Sequence, residues 1–362
     1  MGLHITGVGT ALPQYGISQD KACAIAQNGL TDKQSRLLAT IYRKSTIKRR
    51  HTVLLDQEDG ATPFYNGSNG SSGSNGSGPA GPGTGQRMDR YATEAVSLAL
   101  RASQAALGNA RCAPSAVTHL ITVSCTGFFS PGLDREIIEM LRLSRSVSRV
   151  NIGFMGCHAA LNALQVALAI ANAQADATVL LCATELCSLH FQQGWNTDNV
   201  LPNALFADGS AAIVGKPGAP GERWTCQATG SYLLPESNAD MTWRIGDHGF
   251  QMTLSRRVPT LIAKNLRPWL EQFLAQRNMT ISNIGSWAVH PGGPGILDAV
   301  STSLSLPPTA LDVSRAVLAD CGNMSSPTIL FIVERLRQQQ AVLPCMMLAF
   351  GPGLAIEAAL LI

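Results

Sequence analysis

Apolar and polar positions along this chain alternate between two periods, and the changes of period mark the elements. Residues 3–10, LHITGVGT, predict a first strand closed by a turn at Pro13. Ser18 to Thr46 carries its apolar residues at helical intervals, and helical spacing returns from Arg87 to Leu107. His119 to Phe128 predicts a strand that breaks at Pro131 to Asp134, with a helix following through Leu143. Val150 to Gly153 predicts a short buried strand. After Gly156 the period becomes helical, and Ala and Leu, both strong helix formers, dominate through Ala173. Thr178 to Leu189 predicts another buried strand, and Ala204 to Val214 a glycine-containing turn into the next.

The pattern repeats in kind further on. Trp224 to Leu234 predicts a strand, Val258 to Gln276 a helix, Ser286 to His290 a strand, and helices start at Pro294 and near Ser325. MMLAFGPGLAIEAALL predicts two closing strands about a Gly-Pro-Gly turn. Strands alternating with helices throughout predict an α/β fold. No sequence repeat of fixed period accompanies the alternation.

Two stretches punctuate the chain. Residues 66–86, dominated by Asn, Gly and Ser, form a flexible low-complexity loop. A G-x-S-x-G match and several glycosylation sequons fall there, but composition alone generates them. The Pro/Gly-rich stretch Lys216 to Gly221 is the candidate boundary between an N-terminal half, 1–221, and a C-terminal half, 222–362.

Composition narrows the function classes. With 45% hydrophobic and only 14% charged residues, the chain expects extensive burial, internal or between subunits. A net charge of +3 is too small to argue for nucleic acid. The basic run RKSTIKRRH, Arg43 to His51, is short enough to be a solvated helix end, although it could also hold a phosphorylated ligand. Nine cysteines without regular spacing do not form a disulfide framework, and no secretory signal is evident. The most apolar stretch, Ala159 to Ala183, is interrupted by Asn162, Gln165, Asn172, Gln174 and Asp176, so membrane insertion is not expected. A reducing, cytoplasmic setting follows as the expectation.

Candidate chemistry gathers at three positions. Cys157 lies at or beside a helix N-terminus, where free N–H groups and the helix dipole favour a thiolate. His290 ends an apolar strand before a glycine-rich turn, and Asn323 precedes a helix start marked by Ser325, Ser326 and Pro327. Taken singly, each has a plainer role: a buried small hydrophobe, a structural histidine and a helix cap. Together they form a Cys/His/Asn set in which His activates the thiol, and His and Asn donate to a carbonyl oxygen gaining charge. Cys182, Cys187 and His190 have a faintly zinc-like spacing. A strand would put the two cysteines on opposite faces, and no fourth ligand lies nearby, so no metal is expected.

Four motifs, GFMGCHAALNAL around Cys157, ALFADGSAA with Phe206, WAVHPGGPGILD with His290 and CGNMSSPTI with Asn323, resemble type III polyketide synthases of the chalcone-synthase superfamily. AFGPG, Phe350 to Gly353 with its preceding alanine, matches that family's C-terminal loop. The resemblance implies a five-layered αβαβα thiolase-like fold of two similar halves, and a homodimer. It implies that Cys157 takes an acyl group from an acyl-CoA starter, with His290 holding the thiol ionised. His290 and Asn323 would then stabilise the enolate formed from malonyl-CoA. Phe206 and Phe250 would be gatekeepers. Lys44 would contact CoA phosphates, with Arg43 or Arg36 replacing an arginine expected at Thr40. No cofactor is implied beyond the CoA thioesters themselves, which are substrates.

The departures from the plant enzymes carry information too. Cys125 stands in place of a threonine, Ser130 in place of a methionine that reaches the partner's cavity, and Met241 in place of a cavity-shaping glycine. ELCSLHFQ is similar to bacterial alkylpyrone synthases that use fatty acyl starters, which implies that Glu185, Cys187 and His190 line or abut the cavity. The expected reaction is therefore iterative condensation of malonyl-CoA to an alkylpyrone or alkylresorcinol. A single-condensation enzyme like ketoacyl-ACP synthase III and a cysteine hydrolase of acyl esters are the competing readings.

Overall fold

Four strands of this protein are buried at every position, which requires a sheet covered on both faces. The computed structural model describes residues 2–66, 81–219 and 221–362. Most of the low-complexity loop 66–86, with the motif matches that composition generates there, lies outside the described residues.

In chain order, the N-terminal part comprises β1 (Gly2–Ala11), β2 (Gly16–Ser18), α1 (Gln19–Ala26), α2 (Asp32–Lys44), β3 (Arg49–His51), α3 (Pro63–Asn66) and α4 (Thr84–Asn109). It continues through β4 (His119–Ser124), α5 (Leu133–Leu141), β5 (Ser148–Gly153), α6 (Ala159–Ala173), β6 (Val179–Leu186), α7 (Thr197–Leu205) and β7 (Asp208–Gly218). The remainder is β8 (Thr225–Leu233), β9 (Met241–Gly246), β10 (Gly249–Leu254), α8 (Val258–Ala275), β11 (Ser286–Val289), α9 (Pro294–Leu304), α10 (Asp312–Cys321), α11 (Thr328–Gln338), β12 (Cys345–Gly351) and β13 (Ala355–Leu361).

Nine of these strands share one sheet in the order β11-β12-β13-β8-β1-β7-β6-β4-β5. Outward from the β1/β8 junction, each side runs antiparallel, antiparallel, parallel, so the two halves repeat one topology. The pleat then builds layers, because successive side chains of a strand face opposite ways. Leu181 and Ala183 of β6 pack with α6 and α11, whereas Leu180 and Cys182 pack outward beneath α4. Met347 and Ala349 of β12 join the same inner cluster, whereas Met346 and Leu348 pack beneath α8 and α9. The layers are α4/α5, sheet, α6/α11, sheet, α8/α9, an α/β fold of five αβαβα layers. No helix among the described residues is long and apolar enough to cross a membrane.

Several local expectations need correction. Ser18 to Thr46 is two helices, because the chain turns at Gly29 (φ +78°) and Thr31 caps α2 with Gln34. Strand β5 is not buried: residues 148–151 are exposed, because it is the sheet's edge and pairs only with β4 among the described residues. Three stretches without clear periodicity are ordered elements: α7, the β9–β10 hairpin and α10.

Candidate active site

The chain leaves β5 through a tight turn, with Phe154 at φ +61° and Gly156 at φ +81°. Gly156 is required there, since a Cβ would also strike the Pro352 ring. The turn delivers Cys157 two residues before α6 begins. The Ser325 hydroxyl donates to its sulfur at 3.4 Å.

Burial pushes the Cys157 thiol up to about 12, against the pull of Ser325 and the local backbone N–H. This reverses the thiolate expectation. A helix terminus contributes at most about 2 kcal/mol, and desolvation of a buried charge outweighs it. His290, 1% exposed, ends β11, its backbone N–H bonded to Leu348 O at 2.8 Å. Neither ring nitrogen has a hydrogen-bond partner among the described residues. Burial, with His158 nearby, holds the imidazole down to about 3. Burial thus disfavours the charged form of both the thiol and the imidazole, and no hydrogen bond joins the two among the described residues.

Asn323 is held by its backbone. Gly322 (φ +74°) ends α10, and Asn323 then bridges to Phe206, donating to Leu205 O and accepting from Ala207 N–H, both at 2.9 Å. It caps no helix, since α11 starts only at Thr328. Its Oδ1 accepts the Ser325 N–H at 2.8 Å, which leaves the amide NH₂ as the donor for a ligand. Ser325 thus joins Asn323 to Cys157. The Leu205 side chain also packs against Gly293, in the turn after His290.

A cavity of about 830 Å³ opens beside Cys157 and Ser325. Phe206, Phe250, Cys125, Cys187 and His190 line it as expected. Ile17, Ala22, Leu30 and Leu38 around α1 and α2 add apolar lining, with Asn28 and Arg50 among them. His290 and Asn323 are each 1% exposed.

Residues 3–218 match the N-terminal domain, and 226–362 the C-terminal domain, of chalcone and stilbene synthases. The chain belongs to this family. It is 31% identical to a 1,3,6,8-tetrahydroxynaphthalene synthase of Streptomyces peucetius subsp. caesius, over 99% of this chain and 93% of that synthase. It is 30% identical to the alpha-pyrone synthesis polyketide synthase-like Pks18 of Mycobacterium tuberculosis, over 98% of this chain and 90% of Pks18. In structure it is similar to PKS-I of the brown alga Ectocarpus siliculosus, with a TM-score of 0.91, 31% identity and coverage of 99% and 98% of the two chains. The C-terminal type III polyketide synthase domain of Steely1 from Dictyostelium superposes with a TM-score of 0.89, 25% identity and coverage of 100% and 99%. The chain is thus a thiolase-like type III polyketide synthase.

Of the synthase's expected cavity positions, the structure places one, Met241, away from the lining. Glu185 abuts the cavity, wholly buried and bonded to its lining: it accepts the Cys125 N–H at 2.9 Å and the Thr126 and Ser326 hydroxyls at 2.6 and 2.7 Å. Burial raises its pKa, opposed by those hydrogen bonds. Met241 packs into the C-terminal core with α8 and β12, because the start of β9 faces that layer. Arg43 and Lys44 lie exposed on the last turn of α2, outside the cavity lining. The cation that reaches the cavity is Arg50, on the β3 strand. Its guanidinium donates to Asn203 O and Phe206 O at 2.8 and 2.9 Å, fixing the backbone at Phe206. Arg50, Ser325 and Trp243 are cavity residues that the periodicity gave no means of singling out. The one signal was strand alternation in RRH, which places Arg49 and Arg50 on opposite faces.

Proposed function

We propose that the synthase loads a fatty acyl group from acyl-CoA onto Cys157, extends it repeatedly with malonyl-CoA, and releases an alkylpyrone or alkylresorcinol. The observation that carries this is a cavity of about 830 Å³ lined by Cys157, Phe206 and Phe250 together with apolar side chains around α1 and α2. A linear acyl chain fits that lining better than a polar or charged starter does.

In this reading the thiol attacks the starter thioester while neutral His290 takes its proton, and CoA leaves as the thiol with that proton. Malonyl-CoA then binds with its thioester oxygen facing His290 and Asn323. Its C–CO₂ bond breaks, and the electron pair passes to the enolate those donors stabilise. The enolate carbon attacks the Cys157-bound carbonyl, freeing the cysteine for the elongated chain. No metal or further cofactor enters, because decarboxylation and thioester cleavage supply the driving force. The chain acts as a homodimer in the cytoplasm. All nine cysteines are free, which suits a reducing compartment, and the exposed edge of β5 suits a partner subunit.

The test is mass spectrometry of products from ¹³C-malonyl-CoA and acyl-CoAs of graded length, beside Cys157→Ala. A pyrone or resorcinol labelled by two or more malonyl units, and lost in the variant, is expected. A single-extension product would favour the single-condensation reading. Free fatty acid with malonyl-CoA untouched would favour a hydrolase. With Asn323→Ala, decarboxylation falls by about 10²–10³.

A further inference from the structure

The β9–β10 hairpin forms its own two-stranded sheet, yet Trp243 and Phe250 from it build the cavity wall. Something other than the main sheet must hold it, and His190 is placed to do so. The Phe250 backbone N–H donates to His190 Nδ1 at 3.0 Å, so Nε2 carries the ring proton, and it donates to Thr126 O at 2.7 Å. The imidazole also stacks on the Phe250 ring (centroids 4.1 Å apart, 13° between planes) and meets Trp243 edge-on at 5.5 Å. Trp243 Nε1 donates to Cys125 O at 2.7 Å, beside the Thr126 carbonyl that His190 uses. The hairpin is thereby pinned to the Cys125–Thr126 segment, whose Cys125 thiol lies 3.5 Å from the Ser325 hydroxyl that bonds Cys157. Burial, aided by the Arg87 cation, holds His190 down to about 3, so one neutral tautomer serves at working pH.

We propose that His190 is a positioning residue: by bridging Thr126 O and the Phe250 N–H it fixes the Phe250 ring, and so sets the cavity bore that selects starter chain length. This rests on Cys157 being the acylated thiol. The hydrogen bonds, not the ring's bulk, are what matter. Asn keeps an acceptor for the Phe250 N–H, Gln keeps a donor for Thr126, and Phe keeps the stacking while losing both bonds.

The experiment gives each enzyme an equimolar mixture of hexanoyl- and dodecanoyl-CoA, without malonyl-CoA, and reads the two acyl adducts by intact-protein mass. The adduct ratio is independent of how much protein is active, so partial unfolding of a variant does not move it. His190→Phe is expected to change the ratio by roughly tenfold, the scale on which an apolar pocket discriminates chain length. His190→Asn is expected to stay within about twofold of wild type, since it retains the bond to Phe250. If the Phe variant keeps the wild-type ratio, or the Asn variant shifts as far as Phe, the bridging role is wrong. If the wild-type enzyme forms no adduct that Cys157→Ala abolishes, the synthase mechanism itself fails, which is a separate outcome.

Discussion

Asp208 opens β7 wholly buried, accepting the Ser188 N–H and hydroxyl at 2.8 and 2.6 Å and the Val53 N–H at 3.0 Å. Burial nevertheless lifts its pKa to about 6, whereas an unfolded Asp titrates near ~3.9. Between those values the folded state binds the extra proton, so this residue's contribution to stability declines as pH rises from about 4 to about 6 and is flat above. Asp208→Asn cannot titrate. The wild type's advantage over it should therefore shrink by up to about 3 kcal/mol across that window, measured by urea unfolding at each pH. A constant gap would remove the assignment. Cys157 offers a second check at this scale. A thiol raised to about 12 should be alkylated by iodoacetamide at a rate climbing about tenfold per pH unit from about pH 7 to about pH 9. A plateau starting below that range would mean that a thiolate–imidazolium pair forms in solution. The sequence singled out Cys157, His290 and Asn323 as candidates for the chemistry but not the burial that bears on their charge. Helix-end placement is local and legible, whereas the burial that overrides it arises from Ser325, Cys125 and the C-terminal half closing over the thiol.

At the scale of elements, β1 and α4 lie unusually close. A Cβ on Gly9 would sit 2.3 Å from Ala106 N and 2.4 Å from Ala102 O, both backbone atoms that cannot rotate away. Gly9→Ala should thus push α4 off the sheet and cost about 1–3 kcal/mol, read as a lowered urea midpoint. An unchanged midpoint would mean that the layers slide freely. Elements with one strong period were visible beforehand: β1, β6, α6, α8 and the β12–β13 pair fall near their predicted positions. The β9–β10 hairpin was missed because Trp243, Arg244, Asp247 and His248 interrupt any alternation. Its outer face meets solvent, while its inner face is divided between the cavity (Trp243, Phe250) and the C-terminal core (Met241, Leu254). Helix α7 was hidden by Pro202 within it. Strand β5 was misjudged the other way. Val150 and Ile152 both look like core residues, but Val150 lies 36% exposed on the sheet's edge strand while Ile152 is only partly buried against the inner cluster.

That uncovered edge is a property of the whole molecule. Phe128, Val150 and Met155 are 38%, 36% and 42% exposed, clustered about β5 and the turn that carries Cys157. The unpaired side of β5 presents a row of backbone donors and acceptors, which a monomer in solution would leave as a template for aggregation. A second copy covering the same patch would satisfy it with closed two-fold symmetry. The aromatic series Phe128, Phe154 and Phe250, with ring centroids 5.5 and 5.6 Å apart along it, carries that contact inward to the cavity wall. Dimerisation and catalysis should consequently fail together. Charging the patch with Val150→Arg and Met155→Arg places like charges near one another across the two-fold axis. It should convert a sedimenting dimer to a monomer at micromolar concentration, with far-UV circular dichroism preserved and product formation reduced. Wild-type protein that sediments as a monomer, or a fully active monomeric variant, would show that the cavity is complete within one chain and that the β5 edge serves some other contact.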